Sequence, residues 1–318
     1  MTLRFLHIAL LSAVVIPYGA GAQEFPQKPV RVIVGGGTDI VGRVLGKELA
    51  SIWRQQVVVE DRPGAGGGIA AEFVAKSAPD GYTLLLAAPT LAMTAAWRPN
   101  AQDYLNDFAP IVQAGSFLPF IVVVHPSLPV RTVKELIALA KARPGELNFS
   151  SPQSGGPTHL SAELFTLMAR VRMVHVPYKG VANSILGIMS GEAQVGFPVA
   201  PPALPLIKDG RLRALAVTTP RRSKAIPHLP TVAEAGVPGY ETSGWNGLAG
   251  PAGIPAHIVA RINSDVLRVL KYPEVQRVLE ASGYETADDH APEVFTRTIR
   301  KEIEKWSYLI RESGLKMQ

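Results

Sequence analysis

The chain of 318 residues contains no cysteine. Disulfides, thiolate metal sites and a thiol able to carry a lipid are thereby excluded. Past residue 22 no run approaches about eighteen uninterrupted apolar residues, so the sequence offers no membrane-spanning helix there. Charge of one sign is also scarce. The formal net charge is +6, and the densest basic clusters, Arg211-Leu212-Arg213 and Arg221-Arg222-Ser223-Lys224, lack aromatic interleaving. Nucleic acid is not an expected partner; these clusters read as solvated loop charges or as weak anion steering.

Catalytic signatures are missing as well. No serine stands in a Gly-x-Ser-x-Gly elbow. There is no His-Glu-x-x-His, the seven histidines are dispersed, and Asp288-Asp289-His290 reads as a polar cap before a helix at Pro292, so no metal is expected. No Gly-Lys-Ser/Thr phosphate loop occurs. Gly64-Ala65-Gly66-Gly67-Gly68 follows an apolar strand, but Ile69 stands where a dinucleotide fingerprint needs its third glycine, and no acid follows at the required distance. No cofactor is expected. These glycines serve either close backbone packing or the lining of a cleft.

What is present begins with a leader. Arg4, the apolar stretch Phe5 to Ile16 and Ala20-Gly21-Ala22 have the pattern of a secretory signal spanning residues 1–22, cleaved near Ala22, with a buried helix as the alternative. An exported, periplasmic protein follows. The remaining residues exceed what one hydrophobic core usually serves, so two domains are expected.

Strand and helix patterns alternate from there on, the signature of α/β sheets with crossover helices. Strands are expected at Val30–Val34, Val57–Glu60 and Tyr82–Ala87. Helices are expected from Ile40 to Trp53, whose face holds Ile40, Val41, Val44, Leu45, Leu49 and Ile52, and from Ile69 to Ser77. Ile111 to Val124, broken by Gly115 and Pro119, suits a segment passing between domains. The second domain continues with helices Thr132–Ala142, Leu160–Ala169 and Ala182–Ser190, and strands Leu147–Ser151, Met173–Val176 and Ala193–Phe197. Leu212–Thr218 is expected to lead back to the first domain, Pro220–Pro255 to be loop, and Ala256–Leu270, Pro273–Ser282 and Pro292–Ser313 to be helices, with Gly314 past the last end. The expected division is residues 23–118 with 220–318 as one domain and residues 119–219 as the other.

Two glycine-rich turns, Gly35-Gly36-Gly37-Thr38-Asp39 and Gln153-Ser154-Gly155-Gly156-Pro157-Thr158-His159, each sit between a strand and a helix. Unpaired N–H groups and the dipole at a helix start would hold an anion such as a carboxylate without a charged side chain. Gly36, Gly37, Thr38, Gly155, Gly156 and Thr158 are therefore candidate ligand contacts. Asp39 either caps its helix or accepts a hydrogen bond from the ligand. His159 either donates to the ligand or is packed as a capping residue. Thr90 follows a buried strand at its carboxyl end, where open α/β sheets place ligands, and Tyr178 is either a cleft wall or core, with Lys179 beside it. A catalytic alternative would use Asp39 and His159 as base and acid.

Gly36 to Arg43, Arg62 to Gly67, Pro79 to Leu85, Ser150 to Leu160, Val176 to Gly180 and Leu229 to Gly236 carry motifs that, in this order and after a secretion signal and the strand Val30–Val34, resemble the Bug family. These are the extracytoplasmic solute receptors of tripartite tricarboxylate transporters. The resemblance covers essentially the whole chain past the leader. It implies a two-domain periplasmic binding fold, each domain a mostly parallel sheet flanked by helices and joined by two crossover strands, which acts as a monomer and closes on one small carboxylated solute. It also implies no catalysis. Gly67, Thr90, Ser151 and Tyr178 join the turns as site residues, and the partners implied are membrane permease subunits, with a sensor kinase as the alternative. Two departures are visible. Val34 passes directly to Gly35 where the family usually has about four more residues including an aromatic and prolines, and Gln194 stands where an acid is frequent, either altering ligand charge preference or lying at the surface.

Overall fold

The computed structural model describes residues 25–35, 39–287 and 289–315. The expected leader, Gly36, Gly37 and Thr38 of the first turn, and Asp288 lie outside these residues, as do the side chains of Asp39 and Phe117. The chain opens with β1 (Val30–Val34), α1 (Asp39–Trp53), β2 (Val57–Asp61), α2 (Gly68–Ala75), β3 (Thr83–Ala87) and α3 (Pro89–Ala96). β4 (Phe108–Leu118) and β5 (Ile121–Val124) follow, then α4 (Val133–Ala142), β6 (Asn148–Ser151), α5 (Pro157–Ala169), β7 (Val174–Pro177), α6 (Val181–Met189), β8 (Val195–Gly196), α7 (Ala200–Lys208) and β9 (Arg213–Val217). The last elements are β10 (Gly244–Pro251), α8 (Ala256–Val269), α9 (Pro273–Ala281), β11 (Glu285–Thr286) and α10 (Pro292–Ser313).

Two sheets result. One has the order β11-β4-β10-β3-β1-β2, the other β7-β6-β8-β5-β9. Within each, the strands that alternate with helices run parallel: β2, β1 and β3 in the first, β7, β6 and β8 in the second. The antiparallel pairs involve β10, β4 and β11, or β5 and β9. Both sheets are thus mixed, because β4, β5, β9 and β10 flank the passages from one sheet to the other and need no crossover helix. The parallel strands bring the segments that follow β3 and β6 to the carboxyl edge of each sheet.

The 3.6-residue pattern of α1 buries Val41, Val44, Leu45, Leu49 and Trp53. Ile40, expected on that face, is instead 54 % exposed in the first turn. Thr132 caps α4 as expected, its hydroxyl accepting from Glu135 N at 3.1 Å, while the Glu135 carboxylate accepts from the N–H of Arg131, just before the cap. α10 buries Phe295, Ile299, Ile303, Trp306 and Leu309, spaced three and four apart, and packs on α3 and α5. It ends at Gly314 in the left-handed conformation, φ 66°.

Four elements were not expected: β10, α3, α7 and the short β11. The stretch read as loop, Pro220–Pro255, contains β10, a wholly buried central strand between β3 and β4. Its sequence Gly-Trp-Asn-Gly-Leu-Ala-Gly-Pro has no β-branched residue, and its glycines answer to packing. A Cβ on Gly247 would lie 2.3 Å from Val112 O and 2.7 Å from the Phe295 ring. α3 shows no polar face because nearly all of it is buried. α7 carries prolines, two of them in the first turn, where a missing N–H costs nothing.

Candidate functional site

Between the turns of the two sheets lie two adjoining cavities. The first, of 410 Å³, is bounded by Gly66, Gly68 and Thr90 on the side of the first sheet and by Gln153, Ser154 and Gly155 on the side of the second. The other, of 380 Å³, is lined by His159, Glu163, His175 and by Ser313–Leu315 at the end of α10. Trp97, Ser154 and Gly155 belong to both, so the glycine turn before α5 forms the ridge between them.

On the first sheet's side, Gly64, Gly66 and Gly67 all have positive φ (123°, 62° and 91°), a path open to glycine. The tight approach is at Gly67. A Cβ on Gly35 would meet Gly67 Cα at 2.7 Å, and one on Gly67 would stand 3.0 Å from Thr90 Oγ1. Gly35, Gly67 and Thr90 are thus gathered round one narrow crevice. These glycines both pack backbone against backbone and line the cleft. Asp39 opens α1, immediately after the part of the first turn that is not described.

On the opposite side, α5 begins with Pro157 at its first position and no side chain caps it. The N–H groups of Thr158 and His159 in this first turn therefore have no intrahelical acceptor. Thr158 is 8 % exposed, and its Oγ1 is buried without a partner. A buried hydroxyl in that state is destabilising unless something else binds it.

His159 is differently placed. Its Nδ1 accepts the Gly155 N–H at 2.9 Å. Nε2 faces Glu163 Oε1 at 3.4 Å. Both nitrogens and the Gly155 amide are engaged within the protein, so the packed, capping arrangement is the one observed. Ser151 is equally committed: its Oγ lies 2.9 Å from Gln153 O and 2.7 Å from His175 Nε2. With one proton on Oγ, the chain that satisfies both bonds runs from His175 Nε2–H to Ser151 Oγ and from Ser151 O–H to Gln153 O. The rings of His159 and His175 stack with centroids 3.8 Å apart, and Phe149 lies 5.0 Å from His175. Burial, and then the neighbouring His159, pull the His175 pKa down to about 4.

Tyr178 does not line either cavity. Its ring packs on α6, where a Cβ on Gly187 would meet Oη at 2.3 Å, and it lines a separate groove with Lys179. Burial, then the neighbouring Glu192 carboxylate, push the pKa of its hydroxyl up to about 12. Gln194 has a structural task, accepting from Asn148 N at 2.9 Å and donating to Gly191 O at 2.8 Å, which ties β6 to the turn before β8. Sequence reasoning did not single out Trp97, Arg98, Glu163 or His175. Trp97 and Arg98 depend on α3, an element without a visible period, and His175 depends on the depth of a strand edge. Among the described residues no group of three or more His, Asp or Glu is placed to hold a metal ion.

Comparison with known proteins identifies the family. Residues 41–315 match the profile of the TctC family, the tripartite tricarboxylate transporter family receptors. Protein BugT of Bordetella pertussis is 34 % identical over 304 residues, covering 93 % of both chains. Among solved structures, that of R. palustris Rpa4515 with adipate superposes with a TM-score of 0.78 at 35 % identity, covering 92 % of this chain and 99 % of that one. MatC (Rpa3494) from Rhodopseudomonas palustris with bound malate gives 0.76 at 28 % identity, covering 90 % and 100 %. The chain belongs to the Bug, or TctC, family of periplasmic receptors of tripartite tricarboxylate transporters, and it is a solute-binding protein, not an enzyme.

Proposed function

We propose that the protein is exported by its leader and, as a monomer, captures one small carboxylate between the bodies built on its two sheets, for delivery to the membrane subunits of a tripartite tricarboxylate transporter. The observation that carries this reading is the uncapped start of α5, with the unpartnered Thr158 hydroxyl buried in its first turn, directly after Gln153, Ser154 and Gly155, which face Gly66, Gly68 and Thr90 across the cavity. A helix start supplies N–H donors and roughly half a positive charge, which suits a carboxylate. Adipate and malate, in the similar structures, are both small carboxylates. Gly36, Gly37 and Thr38 would complete the grip from the first turn.

We place the passages between the lobes at Pro119 and, rather than at the expected 219/220, at residues 241–243. Val232 N bonds Val217 O at 2.9 Å, and Tyr240 Oη bonds Ser161 O at 2.9 Å, so the intervening segment travels with the second sheet. A solute touching both lobes shifts their arrangement only by its differential affinity for the two states. The test is a thermal-shift screen of the secreted chain over mono-, di- and tricarboxylic acids. A bound acid stabilises by about 2.7 kcal/mol at a hundredfold excess over its dissociation constant. Thr158→Val should weaken that acid while leaving the unliganded protein at least as stable, since it removes an unpaired buried group. No stabilisation by any acid would refute the reading.

A further inference from the structure

Away from the cleft, the elements flanking the return passage enclose a second cavity, of 360 Å³. It has no lining residue in common with the two cleft cavities. β4, the residues just before β10, β10 itself and α10 supply its walls. Ser116 and Trp245, 6 % and 2 % exposed, are among them, and Ser116 Oγ and Trp245 Nε1 each lack a hydrogen-bond partner. Gln113, 6 % exposed, adds an amide whose Oε1 lies 3.4 Å from the Thr298 hydroxyl. Native proteins rarely leave buried donors unpaired, and two in the wall of one cavity call for acceptor oxygens from outside the chain.

Charges of both signs stand at the mouth. Lys305 and Glu302 neutralise each other, and Glu302 also accepts the Trp306 indole N–H. That leaves the Lys301 ammonium and the Glu241 carboxylate, neither with an ion-pair partner among the described residues, and Asp289, whose Oδ1 takes the Ala291 N–H at 2.9 Å. A simple anion would meet these two carboxylates unfavourably, and a simple cation would leave the buried donors unserved.

We infer that this cavity is a second ligand site, for a zwitterionic amino acid: the carboxylate takes hydrogen bonds from Ser116 and Trp245 with Lys301 as counter-charge, and the ammonium faces Glu241 and Asp289. Such a ligand ties α10 and β10 to the residues on which the lobes turn.

The test is titration calorimetry of the secreted chain with glycine, L-glutamine, acetate and methylammonium, and separately with adipate. At least one amino acid should bind with a dissociation constant of about 1 mM or below, with acetate and methylammonium about tenfold weaker or worse. Ser116→Ala and Lys301→Gln should each weaken the amino acid by about tenfold and leave adipate within about twofold; Thr158→Val should do the reverse. Absence of amino-acid binding would mean that water serves the two donors and would overturn the inference. So would loss of amino-acid binding in the Thr158→Val protein with retention in the other two. Amino-acid binding without any adipate binding would leave this site standing and count against adipate as the cleft's ligand.

Discussion

Acidification should destabilise the fold through one ring. His175 is held neutral by burial and by the His159 ring stacked on it, with a pKa drawn from 6.5 to about 4. In the unfolded chain the same imidazole takes up a proton near pH 6.5. Between those values the unfolded state binds more protons than the native one, so stability falls as pH drops through 6.5, levels off below about 4, and does not depend on this group above 6.5. A displacement of that size corresponds to at most about 3.4 kcal/mol. The ring is only partly enclosed, and solvent screening reduces this to roughly 1–2 kcal/mol. The assay is urea unfolding of the wild type and of His175→Gln at several pH values. Glutamine keeps a donor for Ser151 but does not titrate, and the carboxylates common to both proteins cancel in the difference. The advantage of the wild type should shrink by about 1–2 kcal/mol from pH 7 towards pH 4. A difference that stays flat, or grows in acid, would refute the placement of a neutral, shielded His175.

Other substitutions probe the remaining geometry. Gly155 has φ +73°, and a Cβ there would approach Trp97 Nε1 to 4.0 Å; Gly155→Val should cost about 1–2 kcal/mol in backbone strain and weaken carboxylate binding in calorimetry. Gly37→Val should weaken it too, by obstructing backbone approach in the first turn. Gly247→Ala sets a methyl against the Val112 carbonyl and the Phe295 ring, and its denaturation midpoint should report a loss of roughly 1–3 kcal/mol without change in ligand selectivity among proteins that remain folded.

The fold was readable wherever the local pattern and the burial pattern coincided. α1, α8, α9 and α10 each have one apolar face, and their bounds follow from it. β1 and β3 are apolar runs between turn signals. β10 was hidden because its residues are chosen for closeness: glycine faces β4 and α10, and the branched side chains that usually mark a strand would clash there. α3 failed for the opposite reason. A helix covered on nearly every side has no period to detect, and with it went Trp97 and Arg98, the residues of α3's end that line the 410 Å³ cavity.

What the sequence offers for the candidate site is its backbone, not its side-chain pairings. Glycines and a proline before an apolar helix mark an uncapped N-terminus, because no other residues suit the conformation. Whether His159 faces a ligand or its own turn is decided by His175 and Glu163, which the fold brings to it. Ser151, His159 and His175 are engaged by one another and by the main chain, which on the function proposed above leaves backbone amides at the start of α5, with Thr90 and Gln153 on the cavity wall, to hold the carboxylate. Backbone donors of this kind recognise a carboxylate and little else about its bearer. Discrimination among acids must then come from the walls, where Ile69, Trp97 and Arg98 present apolar, aromatic and cationic surfaces to whatever the carboxylate carries. Replacing Trp97 by alanine should accordingly change which acids bind more than it changes whether a carboxylate binds, and uniform loss across a panel of acids would show that the wall holds the carboxylate itself.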